Sequence, residues 1–212
     1  MPCAGSERIA WSGPSPHARP IHIKPLTLEG TRVRLEPLEA RHEDALWEVA
    51  QDEQIWRWMK VRADESRRVF HRWFEAMLTP GTLPFATLVD GVPLGHTSYL
   101  NVRSDDRVAE IGNTWLAHQA WGTGANTEAK LLLVQHAFDD EGFLRVEFKT
   151  DANNERARAA LAALPAQFEG VFRKHMLVRG GERRDSAWYS VIDDDWPAVK
   201  AALLMRLSRR GA

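Results

Sequence analysis

Residues 110–126, Glu-Ile-Gly-Asn-Thr-Trp-Leu-Ala-His-Gln-Ala-Trp-Gly-Thr-Gly-Ala-Asn, run from a strand-like pattern into a glycine-bearing turn and straight into a long helical pattern. Gly122 and Gly124 lack the Cβ atoms that would hold a ligand off the backbone. The N–H groups of the helical turn that follows present partial positive charge to an anion, so the segment has the form of a phosphate cradle. A tight strand-to-helix turn would use the same two glycines without any ligand. Two familiar phosphate motifs are excluded. No Lys-Ser or Lys-Thr follows Gly124, which rules out a P-loop, and Thr127 stands where the G-x-G-x-x-G dinucleotide motif needs its third glycine.

The 212 residues are enough for one large core and sit near the upper range for a single domain. A formal charge of −1 gives no global basic field, so nucleic acid is not expected as a partner; the arginines at 183–184 and 206–210 read as solvated surface. The single cysteine, Cys3, excludes an intramolecular disulfide and a cysteine metal cluster, and the histidines at 96, 118, 136 and 175 lack metal-ligand spacing. No metal is expected. Neither a signal-peptide core nor a run of about 18 apolar residues is present, so no membrane association is expected and the default location is cytoplasmic. A homo-oligomer is compatible with this composition.

Pro2, Pro14, Pro16, Pro20 and Pro25 mark residues 1–26 as a flexible tail ahead of one domain, 27–212. Alternation predicts a half-buried strand over 32–38. Helical stripes follow over 43–52 and 65–78, with an indole-rich connection that contains Trp56, Trp58 and Met59. Asp90-Gly91 reads as the turn of a hairpin between strands 83–89 and 93–102. Strand 108–116, helix 126–140, strand 144–150 and helix 154–164 come next. Strands 168–178 and 186–193 are joined at Gly180-Gly181, and a last helix is capped by Asp194 and Asp195 with Pro197 in its first turn. This order predicts an α/β or α+β mixed sheet with helices on both faces.

Gln119-Ala120-Trp121-Gly122-Thr123-Gly124 fits the Q/R-x-x-G-x-G/A signature and resembles the GNAT superfamily of acyl-CoA-dependent N-acyltransferases. The similarity extends to Glu110-Ile-Gly, to residues 126–130 and to residues 150–154. It looks most like the branch of ribosomal-protein alanine N-acetyltransferases. The resemblance implies a largely antiparallel central sheet in which the fourth and fifth strands splay apart around acetyl-CoA. It also implies that the pyrophosphate is held by the backbone from Gln119 through Ala120, Trp121, Gly122, Thr123, Gly124, Ala125 and Asn126. The N–H groups of Trp115, Leu116 and Ala117 would meet the acyl and pantetheine end, and Asn154 the pantetheine or sulfur region. Asn154 would equally serve as the N-cap of its helix.

Transfer to an amine needs a proton acceptor, because the nucleophile is largely protonated at neutral pH. Glu110 is the candidate base; pairing with an arginine or ordering the strand is the other reading. Strand alternation puts Glu110 on one face with Gly112 and Thr114, and Ile111, Asn113 and Trp115 on the other. Gly112 leaves room there for substrate. The resemblance makes Trp56, Trp58 and Met59 a wall for the acceptor, although helix-end core would explain them too; Trp47, Trp73, Trp188 and Trp196, on periodic elements, are read as core. Three positions depart from the family. Ala157 and Leu161 stand where relatives carry a serine and a tyrosine, and Pro165 replaces a glycine, so the turn over 164–167 is expected to differ. The sequence thus points to an acetyl-CoA-dependent N-acetyltransferase acting in a ternary complex. Its acceptor is a protein N-terminus or a small-molecule amine, and the other reading is a non-catalytic acyl-CoA-binding module.

Overall fold

A computed structural model describes residues 23–209. The segment read as a tail lies outside the described residues as far as residue 22, Cys3 included, and 23–27 have no regular structure. The strands are β1 (Leu28–Glu29), β2 (Val33–Pro37), β3 (Leu83–Val89), β4 (Val92–Arg103), β5 (Val108–Leu116), β6 (Arg145–Asp151), β7 (Gln167–Val178) and β8 (Glu182–Ile192). The helices are α1 (Glu43–Val49), α2 (Glu53–Trp56), α3 (Arg67–Met77), α4 (Ala125–Gln135), α5 (Glu155–Ala162) and α6 (Trp196–Ser208). One eight-stranded sheet runs in the order β1-β2-β3-β4-β5-β6-β8-β7, antiparallel at every pairing except β5 with β6.

Two cores lie on its two faces. On one, Leu35, Phe85, Tyr99, Ile111 and Val146 pack with Leu133 and Val134 of α4, Ala137 of the turn that follows it and Leu203 of α6. On the other, Ala86, Leu88 and Trp115 pack with Leu46 of α1, Trp56 of α2 and Phe70, Trp73 and Phe74 of α3. Local chemistry sets the ends of the helices. Ser66 caps α3 by accepting from Val69 N–H at 3.3 Å, Asp52 caps α2, and Pro197 sits in the first turn of α6. Asp195 holds the cap position of α6 but makes no side-chain cap bond, contrary to expectation. Glu128 in the first turn of α4 accepts from the backbone N–H groups of Thr31 and Arg32, tying the β1–β2 turn to that helix. A side chain at Gly30 would meet the Glu128 carboxylate and push it off these two N–H groups.

Beyond β1 and α2, which alternation and periodicity did not predict, the main departure is a bulge in β5. His96 pairs with Trp115 and Ser98 with Gly112, so β5 carries one extra residue across that interval, and Asn113 takes φ 50°. Strict alternation fails there. Thr114 turns to the α4 face, away from Glu110, and Trp115 turns to the α1–α3 face, away from Ile111. Buried His96 holds the bulge with an Nδ1–H that donates to the Asn113 carbonyl at 2.8 Å. Burial draws His96 down to about 4, so it is neutral at pH 7. At the end of α5 Leu164 N–H donates to Ala160 O at 3.1 Å and Ala166 N–H to Leu161 O at 3.2 Å, so the helix end closes around Pro165.

Candidate active site

β5 and β6 pair only from Val108 to Glu110 against Arg145 to Glu147, and beyond that they diverge. The gap between them opens into a cavity of about 500 Å³. At one end the wall is made by Trp58, Met59 and Lys60 after α2, with Glu110, Gly112, Lys149, Met176 and Arg184. At the other it is made by Gly122, Gly124, Asn126, Asn154 and Arg156.

The phosphate-cradle end begins with a 3-10 turn over His118–Ala120, followed by Gly122 at φ 76° and Gly124 at φ 97°. These left-handed angles swing the chain directly into α4, which is why glycine is needed at both positions. The N–H groups of Ala120 and Trp121 are taken up by the turn, and Ala125 N–H donates to Thr123 Oγ1 at 3.3 Å. Those of Thr123, Gly124, Asn126 and Thr127 have no acceptor among the described residues. They stand at the positive end of α4, and the Asn126 Oδ1 beside them is buried and unpartnered. Gln119 is exposed, and Gln119, Thr123 and Ala125 shape the loop without lining the cavity.

Side chains from distant elements add positive charge. The Arg156 guanidinium on α5 lies 3.6 Å from the centre of the Trp121 ring, whose Nε1–H donates to Leu116 O at 2.7 Å. Burial lowers the proton affinity of Arg156. Arg206 reaches the same wall from α6 while donating to Ala163 O at 2.9 Å. Lys130 on α4 is buried and donates to Thr114 Oγ1 at 2.6 Å and Thr97 Oγ1 at 3.2 Å. With no carboxylate beside it, burial pulls Lys130 down to about 7. Helical periodicity marked none of these three, because each points into the cavity only after its helix docks.

At the reacting end, Glu110 is 1% exposed, and its Oε2 accepts from Asn101 Nδ2 at 2.8 Å and Lys149 Nζ at 2.9 Å. Oε1 faces Gly112: a Cβ there would stand 3.1 Å from it and 2.8 Å from Leu100 Cδ1. The pairing partner is therefore a lysine rather than the arginine considered from sequence. Asn154 Oδ1 accepts from Ala157 N–H at 3.1 Å, capping α5, and the residue also lines the cavity.

Three sequence expectations change here. Trp56 is fully buried: its Nε1–H donates to Ala50 O at 2.6 Å and its ring packs on Phe70, Trp73 and Trp115. It belongs to the core between the sheet and α1–α3, and of the three residues expected to wall the acceptor only Trp58 and Met59 reach the cavity. Ala117 N–H donates to Leu94 O at 2.7 Å, so it is spent on the sheet. In the same antiparallel register Trp115 also faces β4, which leaves Leu116 N–H as the one of the three directed toward the gap. Trp188, read as core, is half-buried and stacks under Lys149 Nζ at 5.1 Å.

The acetyltransferase (GNAT) domain family matches residues 32–166. The chain belongs to the GNAT acetyltransferases. A solved GCN5-related N-acetyltransferase from Brucella melitensis is 32% identical, with a TM-score of 0.83 over 94% of this chain and 90% of that one. Mycobacterium smegmatis RimJ in complex with CoA-disulfide shares the fold at 22% identity, TM-score 0.74, over 86% of this chain and 95% of that one. RimL, a ribosomal L7/L12 alpha-N-protein acetyltransferase, shares it at 16% identity, TM-score 0.69, over 79% and 94%. A comparison with curated proteins returns no match. Membership makes the protein an acyltransferase. Among the described residues no group of three or more His, Cys, Asp or Glu side chains could hold a metal, and no helix is long and apolar enough to cross a membrane.

Proposed function

We propose that the protein transfers the acetyl group of acetyl-CoA to a primary amine, on a protein N-terminus or a small molecule, directly within a ternary complex. The carrying observation is Glu110: a buried carboxylate on the wall of the cavity that leads to the glycine loop, with Oε2 already held by Asn101 and Lys149 and Oε1 turned to Gly112.

Bound acetyl-CoA supplies an activated thioester. The unpaired N–H groups of Gly124, Asn126 and Thr127, with Arg156 and Arg206, fit its phosphates by charge and by donor count. Leu116 N–H, facing the gap, is the donor for the acyl oxygen as negative charge builds on it. Glu110 Oε1 takes a proton from the acceptor ammonium, directly or through one water, and frees the nitrogen lone pair. The new C–N bond forms as the C–S bond breaks, and the second proton shed by the nitrogen passes through solvent to the departing thiolate. With Ala157 and Leu161 on the wall, neither of those positions offers an acid, and the thiolate leaves with the aid of solvent.

Release of free thiol across a panel of amines tests this. Glu110→Gln is expected to lower kcat by about 10²–10⁴ with acetyl-CoA affinity kept. Binding of acetyl-CoA without thiol release on any acceptor would favour the non-catalytic module instead.

A further inference from the structure

Arg184 lies on β8 and is 9% exposed. Its Nε is buried with no hydrogen-bond partner, and its guanidinium makes no ion pair among the described residues. An unpaired buried guanidinium is rare, because it gives up hydration without a compensating contact. Arg184 nevertheless lines the same cavity as Glu110.

The sheet register puts the two groups on one face. Lys149 is opposite Trp188 and Asp151 opposite Ser186, so Arg184, two residues further along β8, continues the row that carries Lys149 and, through it, Glu110. The two cations nearest Arg184 in the sheet and hairpin are engaged. Lys149 is held by Glu110, and Arg179 by Glu182 at 2.8 Å and the Met59 carbonyl at 3.0 Å. The backbone of Arg179 also bonds Lys60 O at 2.8 Å, which fastens the β7–β8 hairpin over the connection after α2 and roofs this end of the cavity.

We infer that the acceptor is a carboxylate-bearing primary amine, whose carboxylate docks on Arg184 while its amine meets Glu110. This rests on the acetyl-transfer reading above. A guanidinium offers a planar fork that matches a carboxylate in a bidentate pair. Asp151 and Glu110 act on Arg184 electrostatically with Arg179 opposing them, a setting of mixed sign that suits a singly charged carboxylate. Burial also lowers the proton affinity of Arg184, the mark of a cation awaiting a counterion. A free amino acid supplies the carboxylate beside its own amine. A peptide supplies it only from an acidic first residue.

The experiment compares kcat/KM for free amino acids and their C-terminal amides, and for peptide amides beginning with Asp or Asn. The expected result is a preference of at least tenfold for the carboxylate member of one pair, carried by KM, and the pair that shows it identifies the source. Arg184→Gln should bring that ratio close to one, through a rise in KM confined to the carboxylate member; Arg184→Lys should restore part of it. Arg184→Met should melt no lower than the parent, and the N-acetylated acid should raise the melting temperature of the parent but not of this variant. Equal use of acids and amides by the parent, or a preference that survives Arg184→Gln, overturns the inference and leaves acetyl transfer standing. Absence of thiol release with every amine sinks both.

Discussion

Replacing Lys130 by Met should stabilise the protein, and the gain should vanish as the pH rises. Lys130 is buried against Thr97 and Thr114, its neighbour His96 is neutral, and no carboxylate pairs with it. The fall from 10.5 to about 7 corresponds to about 5 kcal/mol of unfavourable charge burial. Hydrogen bonds from the ammonium to the two hydroxyls return about 1–3 kcal/mol. Methionine keeps most of the stem and omits the charge, and Thr97 and Thr114 still bond each other at 2.8 Å. At pH 6 the variant is therefore expected to be more stable by about 2 kcal/mol or more. The pH dependence is a sharper test. Below pH 7 the lysine is protonated folded and unfolded, so the parent bears the full burden. Between about 7 and 10.5 the unfolded chain binds more protons, and the parent's stability rises by about 1.4 kcal/mol per pH unit relative to the variant. Chemical denaturation of both proteins at pH 6, 7.5 and 9, without acetyl-CoA, measures the difference. A variant less stable than its parent at pH 6, or a difference that stays flat from pH 7 to 9, refutes the argument.

Gly124→Ala forces a side chain into φ 97° at the head of α4, so stability should fall by about 1–2 kcal/mol and acetyl-CoA affinity by calorimetry should drop at least about tenfold. Unchanged affinity would mean the turn serves only the chain. Asn154→Ala removes the α5 cap and should cost about 1 kcal/mol, whereas Asn154→Asp keeps the cap oxygen. If Asn154→Asp also keeps full coenzyme affinity, the residue is a cap and nothing more.

Much of the architecture is legible in local pattern. The bounds of β5 agree with the predicted strand 108–116, Asp90-Gly91 turns β3 into β4, and the glycine loop leads into α4 as its spacing implied. The long helix expected to residue 140 is present too, its last turn widened to a π-helix over His136–Asp140. These features depend on alternation, 3.6-residue periodicity and the φ freedom of glycine, all of which act within a few residues.

What the sequence determined by itself, then, is the order of elements, the loop able to hold phosphates and, through its Q-x-x-G-x-G spacing, the family. The tertiary structure decided which side chains meet. One extra residue at Asn113 reversed the faces of Thr114 and Trp115, a change invisible to a period-two pattern except through asparagine's tolerance of positive φ. Packing between three helices drew Trp56 into the core although its connection looked like a pocket wall. Lys130, Lys149, Arg156, Arg184 and Arg206 come to one cavity from α4, β6, α5, β8 and α6. Periodicity reports the face on which a residue lies, whereas the partner across that face is set by how the sheet and helices close on one another. For that reason the coenzyme loop can be read along the chain, and the acceptor end, assembled from strands far apart in sequence, requires the fold.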